Sequence, residues 1–386
     1  MNNHKNRYFL LYLKTGEGHF APARAIAQYL SATHGADIEP VLIDGLTDAS
    51  KLPRSIIERG YRLLQARAKW YYALLYASNK FRPIGSLTVA VAKFFMKPYL
   101  KKRIENERPA KIIIFHFFLV APVVNILQEL RYDIPVIIVV TDPFTAHPLW
   151  FQRPEQRYIV FSERLKRYCV EKRKISASQL HVFPFIIDDK YASSLPARER
   201  ALVKQNYGFR HDKKCTLIIG GGDGIPKGKH ILRRLLRAGL DVDIAIVCGK
   251  NKQLYAASLK LQKRYPPLKV FAFIDFVYEL LNVADIVITK CGASTIEEIL
   301  MMKKVPIIID YIWEQELGNM EFVRDNKLGV FERNIQKLPH IIEELVSDDS
   351  QYQRYRQNIE NMNIRSGTKE VSEFLMTLKN DHEGHV

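Results

Sequence analysis

Residues 286–298 read IVITKCGASTIEE and form the most informative stretch of the chain. Its first four residues are apolar or β-branched and indicate a buried strand, Gly292 marks a turn, and a helix follows. The same succession of apolar run, turn and helix occurs along the whole chain. The other runs are residues 8–13, 40–43, 111–115, 136–140, 158–161, 216–219, 244–248, 270–273 and 305–309. Continuous apolar strands separated by helices are typical of parallel sheets covered on both faces, so the sequence predicts an α/β fold.

The ten runs fall into two groups of five, one on each side of residues 188–208. That segment is polar and contains no apolar run, which suits a linker followed by a short helix. We therefore predict two doubly wound domains that face each other across a cleft, one over residues 1–187 and the other over residues 209–386. An alternative for the last helix is that it packs back on the N-terminal domain.

The charge and cysteine content limit the classes of partner and site. The 386 residues include 58 Lys and Arg against 41 Asp and Glu, a net charge of +17, which favours anionic partners. The four cysteines form no CxxC pair, so no metal site is predicted. The first residues lack the cleavage site of a secretory signal, and no run of 18 apolar residues occurs. We therefore expect a cytoplasmic protein that does not cross a membrane.

The segment from Arg54 to Arg103 departs from the alternation of strands and helices. It carries twelve Lys or Arg, nine aromatic residues and a single acid, Glu58. Apolar residues at helical spacing form a stripe along it: Ile57, Tyr61, Leu64, Ala68, Tyr71 and Leu75. A basic, aromatic-rich amphipathic helix suits attachment to an anionic membrane surface. Packing of its apolar side against the core is the alternative, and contact with nucleic acid is the least favoured interpretation.

A glycine turn with a histidine follows the first predicted strand. Residues 15–19 read TGEGH, so Gly18 and His19 come at the start of the next helix. Glycine lets a ligand approach the backbone, and a helix N-terminus favours negative charge. An imidazole at such a turn can act as a general base because its ordinary pKa lies near neutrality. The alternative is a histidine that makes only structural hydrogen bonds.

A second glycine turn follows the first strand of the C-terminal half. Residues 220–224 read GGGDG, and Lys227 and Lys229 come shortly after them. Exposed backbone N–H groups and nearby lysines suit a diphosphate, whereas a mobile turn without a ligand is the alternative. The turn at residues 15–19 does not match the GxGxxG pattern of a dinucleotide site, and no cofactor is predicted.

The polar residues within the stretch quoted first admit two explanations. Ser294 and Thr295 stand three residues before Glu297 and Glu298, which is the spacing of a capping box and would be purely structural. The same turn also offers N–H groups and hydroxyls to a phosphate, and a carboxylate to the two hydroxyls of a ribose. Residues 310–319, DYIWEQELGN, add amide and carboxylate groups that suit sugar hydroxyls. Loops at the carboxyl ends of parallel strands are where such folds bind ligands.

In this order, the motifs resemble those of the monogalactosyldiacylglycerol synthases and processive diacylglycerol glucosyltransferases, in glycosyltransferase family 28, relatives of the peptidoglycan N-acetylglucosaminyltransferase. The resemblance extends from Gly16 to about Phe331 and so covers most of the chain. The matching pieces are residues 16–19, 140–142, 147–151, 220–224, 247–252, 288–298 and 310–319. The resemblance implies the GT-B fold, in which two Rossmann-like domains face a cleft.

The resemblance also implies which residues bind substrate. In the UDP-sugar, the ribose would be held by Glu298, and the diphosphate by Thr295, Gly220, Gly221 and Gly222. The uracil would lie beside Phe273, and the hexose would be bound by Gln315, Glu316 and Asn319. The site would also be lined by Gly18, Gly292 and Ser294. His19 would lie at the acceptor hydroxyl, with Asp142 and His147 nearby. His19 is the first choice for the base and Asp142 the second.

The sequence thus predicts an inverting, metal-independent glycosyltransferase that moves glucose or galactose from a UDP-sugar to diacylglycerol or a glycosyl-diacylglycerol. It would work at the inner face of the cell membrane, docked through residues 54–103. Glu17 and Ala272 replace glycines common in the family, and residues 291–294 replace an AGPG-like run, which leaves the transferred sugar open. The alternatives are a UDP-N-acetylglucosamine-dependent transferase acting on a polyprenyl-linked intermediate, a UDP-sugar epimerase, and a non-enzymatic protein that binds a lipid surface or nucleic acid.

Overall fold

The computed structural model describes residues 5–14, 17–46, 77–79 and 82–378. The chain divides into two compact units. Unit 1 comprises Met1–Asp188, Ile312–Gln315 and Ser366–Val386, and unit 2 comprises Asp189–Tyr311 and Glu316–Arg365. The apolar stripe predicted from Ile57 to Leu75 lies outside the described residues.

Unit 1 is built on a parallel sheet with helices in its connections. Its elements are β1 (Asn6–Tyr12), α1 (Glu17–His34), β2 (Ile38–Asp44), α2 (Arg82–Glu107), β3 (Lys111–Ile114), α3 (Phe117–Leu130), β4 (Val136–Val139), a 3-10 turn (Pro148–Phe151), β5 (Arg157–Val160), α4 (Glu163–Arg173) and β6 (Leu180–Val182). The strands are hydrogen-bonded in the order β2-β1-β3-β4-β5-β6. β3 and β4 are wholly buried because their residues are apolar on both faces, apart from Lys111 at the start of β3.

Unit 2 repeats this architecture. Its elements are α5 (Ala197–Asn206), β7 (Cys215–Ile219), α6 (Gly228–Ala238), β8 (Asp243–Val247), α7 (Lys252–Gln262), β9 (Lys269–Phe271), α8 (Val277–Val283), β10 (Ile286–Lys290), α9 (Ala293–Met301), β11 (Val305–Asp310), α10 (Leu317–Asp325), β12 (Val330–Phe331), α11 (Leu338–Ser347) and α12 (Asp349–Asn361). The strands, all parallel, follow the order β12-β11-β10-β7-β8-β9.

The last described helix, α13 (Thr368–Thr377), belongs to unit 1. The Lys111 ammonium donates to the backbone carbonyls of Leu375 at 2.5 Å and Met376 at 3.1 Å. A cation at this position satisfies carbonyls that have no partner within the last turn of a helix. The Thr368 hydroxyl donates to the backbone carbonyl of Ile187 at 2.7 Å and ties the other end of α13 to unit 1.

Each of the ten predicted runs has a counterpart among the twelve strands of the two sheets. The prediction missed β6 and β12, which have three and two residues and are too short to form a recognisable apolar run. The order of the strands reverses between β1 and β3 in unit 1, and between β7 and β10 in unit 2. The loops at the carboxyl ends of these pairs diverge and leave a crevice, which is where open α/β sheets bind ligands. Within the described part of the chain, no helix is long and apolar enough to cross a bilayer.

Candidate functional site

His19 lies in the first turn of α1, directly after β1 at the reversal point of unit 1. Its ring is buried, and Nδ1 lies 2.7 Å from the Thr141 hydroxyl oxygen. The ring meets His116 edge-on, with the two centroids 4.5 Å apart. Burial lowers the pKa of His19 to about 4, although the backbone carbonyl of Phe115 opposes this shift. His19 is therefore an uncharged imidazole at neutral pH, as a general base must be.

The other two unit 1 residues predicted from sequence lie on the loop after β4, beside the same buried cluster. Asp142 accepts a hydrogen bond from the Trp150 indole N–H at 2.8 Å. His147 caps the 3-10 turn, where its Nδ1 accepts from the backbone N–H of Leu149 at 3.1 Å. Both side chains are buried, and the Trp150 ring lies 6.2 Å from that of His19. The structure thus brings Asp142 and His147 close to His19 and gives each a hydrogen bond within its own loop.

Gly18 precedes His19 and is exposed. A Cβ atom added there would meet no atom of the described residues within 4 Å. The space beside His19 is therefore open at this point of α1.

The glycine loop after β7 is held by its own backbone. The N–H of Lys250 donates to the Gly222 carbonyl at 2.7 Å, and a Cβ on Gly249 would lie only 2.8 Å from the Gly222 carbonyl carbon. A Cβ on Gly220 would lie 2.5 Å from the Gly224 oxygen, so packing alone requires glycine at position 220. At Gly222, by contrast, a Cβ would meet nothing within 4 Å. Gly222 is therefore the position at which a ligand can approach this loop.

The turn after β10 does not form the capping box that its spacing suggested. Helix α9 begins at Ala293 with Gly292 as its N-cap, and no side chain caps it. The Ser294 hydroxyl oxygen is buried without a hydrogen-bond partner, which leaves it available to a ligand. Thr295, on the next position of α9, is half-buried. The explanation of Ser294 and Thr295 as members of a capping box is therefore wrong.

The two adjacent acids of α9 differ in environment. Glu297 is buried, and burial raises the pKa of its carboxyl to about 7. Glu298 is half-buried. Of the two carboxylates, Glu298 is the one that a ligand outside the helix can reach.

The loop after β11 packs against the turn after β10. The Asn319 amide donates to the Cys291 carbonyl at 2.9 Å, while its own side-chain oxygen is buried without a partner. The Glu316 carboxylate lies 3.8 Å from the Lys290 ammonium, and a Cβ on Gly292 would lie 3.6 Å from the same carboxylate. These contacts bring Glu316, Asn319 and Gly292 together in unit 2. Gln315 is not among them, because it clusters with unit 1.

Phe273 follows β9 and is 52% exposed. The Lys250 ammonium lies 4.9 Å from the centroid of its ring. Lys250 also binds the glycine loop through its backbone, so Phe273 lies beside that loop. An exposed aromatic ring next to a glycine loop is suited to stacking on a planar ring of a ligand.

Three residues without an assigned role from the sequence lie within these clusters: Thr141, His116 and Lys290. Lys290 ends β10, which is hydrogen-bonded to β7, and its Cε would lie 3.8 Å from a Cβ on Gly221. Its cation therefore lies beside the glycine loop, a placement that the strand order of a Rossmann-like sheet predicts. Over the described ranges, no group of three or more His, Cys, Asp and Glu residues could hold a metal ion.

Comparison with protein families connects both units to known enzymes. A model described as monogalactosyldiacylglycerol (MGDG) synthase matches residues 19–185, and one described as glycosyltransferase family 28 C-terminal domain matches residues 225–373. The chain is thus similar to the monogalactosyldiacylglycerol synthases over residues 19–185 and to the C-terminal domain of glycosyltransferase family 28 over residues 225–373. The resemblance seen in the motifs is thereby confirmed.

Members of this family from plants resemble the chain over most of its length. Monogalactosyldiacylglycerol synthase 1, chloroplastic, of Arabidopsis thaliana is 26% identical over 347 residues, which are 87% of this chain and 64% of the plant protein. Monogalactosyldiacylglycerol synthase, chloroplastic, of Spinacia oleracea is 28% identical over 336 residues, which are 84% of this chain and 63% of the plant protein. The chain therefore spans less than two thirds of the length of these relatives.

Solved structures show the fold. MurG of Acinetobacter baumannii superposes with a TM-score of 0.59 at 15% identity, covering 97% of this chain and 100% of MurG. UGT71G1 of Medicago truncatula, solved with UDP-glucose, superposes with a TM-score of 0.61 at 13% identity, covering 97% of this chain and 98% of UGT71G1. The predicted fold class, a GT-B fold of two Rossmann-like doubly wound domains, is confirmed.

Glu297 is expected to make stability fall as the pH rises. Because its folded pKa of about 7 exceeds the ordinary 4.5, the folded protein keeps a proton that the unfolded chain loses between these values. The free energy of unfolding therefore decreases from about pH 4.5 to about pH 7, and the cost stays constant above that. Glu297→Gln should remove the decrease and raise the free energy of unfolding by about 1–3 kcal/mol at pH 8, with no gain at pH 4.5.

Urea unfolding of wild type and variant at pH 4.5 and pH 8 measures this effect. Glu343→Gln, at an exposed position of α11, is the matched control. Its free energy of unfolding should equal that of wild type at pH 4.5 and at pH 8. Equal free energies of unfolding for wild type and Glu297→Gln at pH 8 would contradict the assignment.

Proposed function

We propose that this protein is an inverting glycosyltransferase that transfers glucose or galactose from a UDP-sugar to diacylglycerol or a glycosyl-diacylglycerol at a membrane surface. The observation that carries the proposal is the division of the family matches. The MGDG synthase model falls on unit 1 and includes the buried, neutral His19. The family 28 C-terminal model falls mostly on unit 2 and starts directly after the glycine loop. The plant relatives are named as monogalactosyldiacylglycerol synthases, which makes diacylglycerol the starting hypothesis for the acceptor.

In this proposal His19 is the general base. The acceptor hydroxyl gives its proton to the His19 ring as its oxygen forms a bond to the anomeric carbon. The bond from that carbon to the β-phosphate oxygen breaks, and its electron pair leaves on UDP. A single displacement of this kind inverts the anomeric centre. Asp142 is the less suited base because its carboxylate accepts the Trp150 N–H.

Unit 2 would hold the donor. The diphosphate would approach the backbone of Gly220, Gly221 and Gly222 at the open position of Gly222, with the Thr295 hydroxyl on its other side. The Lys290 ammonium would offset the charge that develops on the leaving UDP. Glu298 would accept the ribose hydroxyls.

The remaining polar groups would recognise the sugar and the base of the donor. Phe273 would lie against the uracil, and the buried oxygen of Asn319 and the Glu316 carboxylate would accept hydrogen bonds from hexose hydroxyls. Gln315, which precedes Glu316 in the same motif, would be a further ligand of the hexose. Gly292 and Ser294 would line the same pocket beside Glu316.

We also propose that α2 docks on the inner, anionic face of the cell membrane. Four large apolar side chains, Ile84, Leu87, Val91 and Phe94, are exposed and recur every three or four residues, so they form one stripe. The opposite side of α2 is buried through Met96, Leu100 and Ile104. An exposed apolar stripe on a protein with net charge +17 fits partial insertion into anionic lipid.

The proposed activity is tested by measuring UDP release from UDP-glucose, UDP-galactose and UDP-N-acetylglucosamine, with and without vesicles of anionic lipid and diacylglycerol. We expect release from a hexose donor that requires diacylglycerol, together with a glycolipid on chromatography. His19→Gln should lower the rate by about 10²–10⁴-fold because it removes the base. His340→Gln, at an exposed position of α11, is the matched control and should not change the rate.

Other outcomes would redirect the assignment. Donor consumption without lipid would indicate an epimerase or a hydrolase. Release from UDP-N-acetylglucosamine with only a polyprenyl-linked acceptor would indicate the alternative transferase. Absence of UDP release from all three donors with every acceptor would contradict the proposed activity.

Gly222→Ala is expected to separate donor binding from folding. Its Cβ would meet no protein atom within 4 Å, so thermal stability should stay unchanged, but the methyl group would occupy the space of the diphosphate. We expect calorimetric affinity for UDP to fall at least about tenfold. Gly220→Ala is the contrasting variant, since its Cβ would collide with the Gly224 oxygen and should lower thermal stability. Wild-type affinity in Gly222→Ala would exclude this loop as the diphosphate site.

The double variant Leu87→Glu, Phe94→Glu is expected to weaken flotation with anionic vesicles at least about tenfold. Both side chains are mostly exposed, at 65% and 74%, so folding should not suffer, whereas carboxylates oppose insertion into lipid. Leu202→Glu is the matched control because Leu202 is 49% exposed on α5 in unit 2. Unchanged flotation of the double variant would show that α2 does not contact the membrane.

A further inference from the structure

His19 is held in place by groups that carry no charge. Within the described residues, the side-chain hydrogen bond of its ring is the one between Nδ1 and the Thr141 hydroxyl oxygen, at 2.7 Å and buried. The faces and edges of the ring meet other rings, those of His116 and Trp150. Thr141 is 3% exposed, so the hydroxyl has little access to water.

The carboxylate that follows Thr141 in sequence does not take this position. Asp142 accepts the Trp150 indole N–H at 2.8 Å, and Trp150 is completely buried. The same indole ring lies 6.2 Å from the ring of His19. The group that is hydrogen-bonded to the His19 imidazole is therefore the Thr141 hydroxyl and not a carboxylate.

We propose that Thr141 is the positioning residue of the base: its hydroxyl accepts a hydrogen bond from Nδ1–H of His19 and fixes the orientation of the ring, so that Nε2 faces the acceptor. This inference rests on the proposed function. For Nε2 to accept a proton, the neutral ring must carry its own hydrogen on Nδ1, and that N–H then donates to Thr141. The acceptor oxygen loses its proton to Nε2 and bonds to the anomeric carbon, while the electron pair of the broken carbon–oxygen bond leaves with UDP.

His116 completes the arrangement as a second imidazole that stays neutral. Its Nδ1 accepts the backbone N–H of Phe118 at 3.2 Å and thereby caps α3. Protonation of that nitrogen would break the cap and place a positive charge 4.5 Å from His19. Burial and the neighbouring His19 both keep the pKa of His116 well below its ordinary value. His116 therefore does not compete with His19 for the proton of the acceptor hydroxyl.

A hydroxyl and a carboxylate would have opposite effects on the base. A buried carboxylate beside Nδ1 would stabilise the imidazolium and raise the pKa of His19, whereas a hydroxyl orients the ring without adding charge. Among the described residues, the groups with a contact to the His19 ring are Thr141, His116, Trp150 and the Phe115 carbonyl, and Asp142 is bonded to the Trp150 indole. His147 lies one ring further away, stacked on Phe117. The ring therefore stays uncharged, with one nitrogen unprotonated, over the whole neutral pH range.

The test compares Thr141→Val, which has the shape of threonine without the hydroxyl, with Thr141→Ser, which keeps the hydroxyl. We expect Thr141→Val to lower kcat by roughly 10- to 100-fold and to leave KM for donor and acceptor within about threefold. Thr141→Ser should recover kcat to within about threefold of wild type. Thr216→Val is the matched control, because the Thr216 hydroxyl is buried in unit 2 without a hydrogen-bond partner, and it should leave kcat unchanged.

A second readout does not depend on turnover. Nitrogen NMR of histidine-labelled protein, with His19 assigned through His19→Gln, reports which ring nitrogen carries the hydrogen. We expect Nδ1–H in wild type and Thr141→Ser, and a mixture of tautomers in Thr141→Val. Hydrogen on Nε2 in wild type would overturn the proposal even if Thr141→Val does not fold.

The two readouts separate the two hypotheses. If wild type transfers no sugar but NMR shows the Nδ1–H tautomer lost in Thr141→Val, the proposed function fails and the positioning by Thr141 stands. If wild type is active and Thr141→Val matches it in kcat and tautomer, the positioning fails and the function stands. Equal losses of kcat in Thr141→Val and Thr141→Ser would also overturn the proposal, because the hydroxyl would then not be the group that matters.

Discussion

The candidate site depends on one constraint, the parallel hydrogen bonding of the two sheets. In a parallel sheet every strand ends at the same edge, so residues far apart in sequence meet there when their strands are neighbours. β1 pairs with β3, which brings His19 and His116 together, and β7 pairs with β10, which brings Gly221 and Lys290 together. Without this pairing, none of these polar residues would have a reason to be adjacent.

The same constraint divides the glycines into two kinds. Gly220 and Gly249 are required by the backbone itself, because any side chain would strike the neighbouring turn. Gly222 is open on the side where no protein atom lies, so its lack of a side chain has no packing reason. A glycine that packing does not require is better explained by a ligand than by the fold. Sequence alone shows only that GGGDG is flexible. The distances that distinguish Gly220 and Gly249 from Gly222 depend on residues that approach them only in the folded chain.

Sequence predicted the central strands well and the contacts of individual side chains poorly. Long apolar runs such as those of β3 and β10 reflect burial on both faces, which composition records directly. The capping box at 294–298 failed because the turn after β10 is short, so the helix starts at Ala293 and the hydroxyls lie inside its first turn. Thr141 could not be found from sequence because its bond to His19 spans 122 positions, and the adjacent Asp142 is the more familiar partner of a histidine.

The number of charges in residues 54–103 also describes the proposed membrane attachment only in part. The composition of residues 54–103 predicts electrostatic attachment, and each cation near an anionic surface adds about 1 kcal/mol. Two of the lysines on α2, Lys97 and Lys101, pair with Glu129, so their charges are partly offset within unit 1. The exposed apolar side chains of α2 have no such compensation, and lipid can bury them at about 25 cal/mol per Å². For the described part of this segment, binding should therefore weaken less with added salt than the number of cations suggests, since salt screens charges but does not weaken apolar burial.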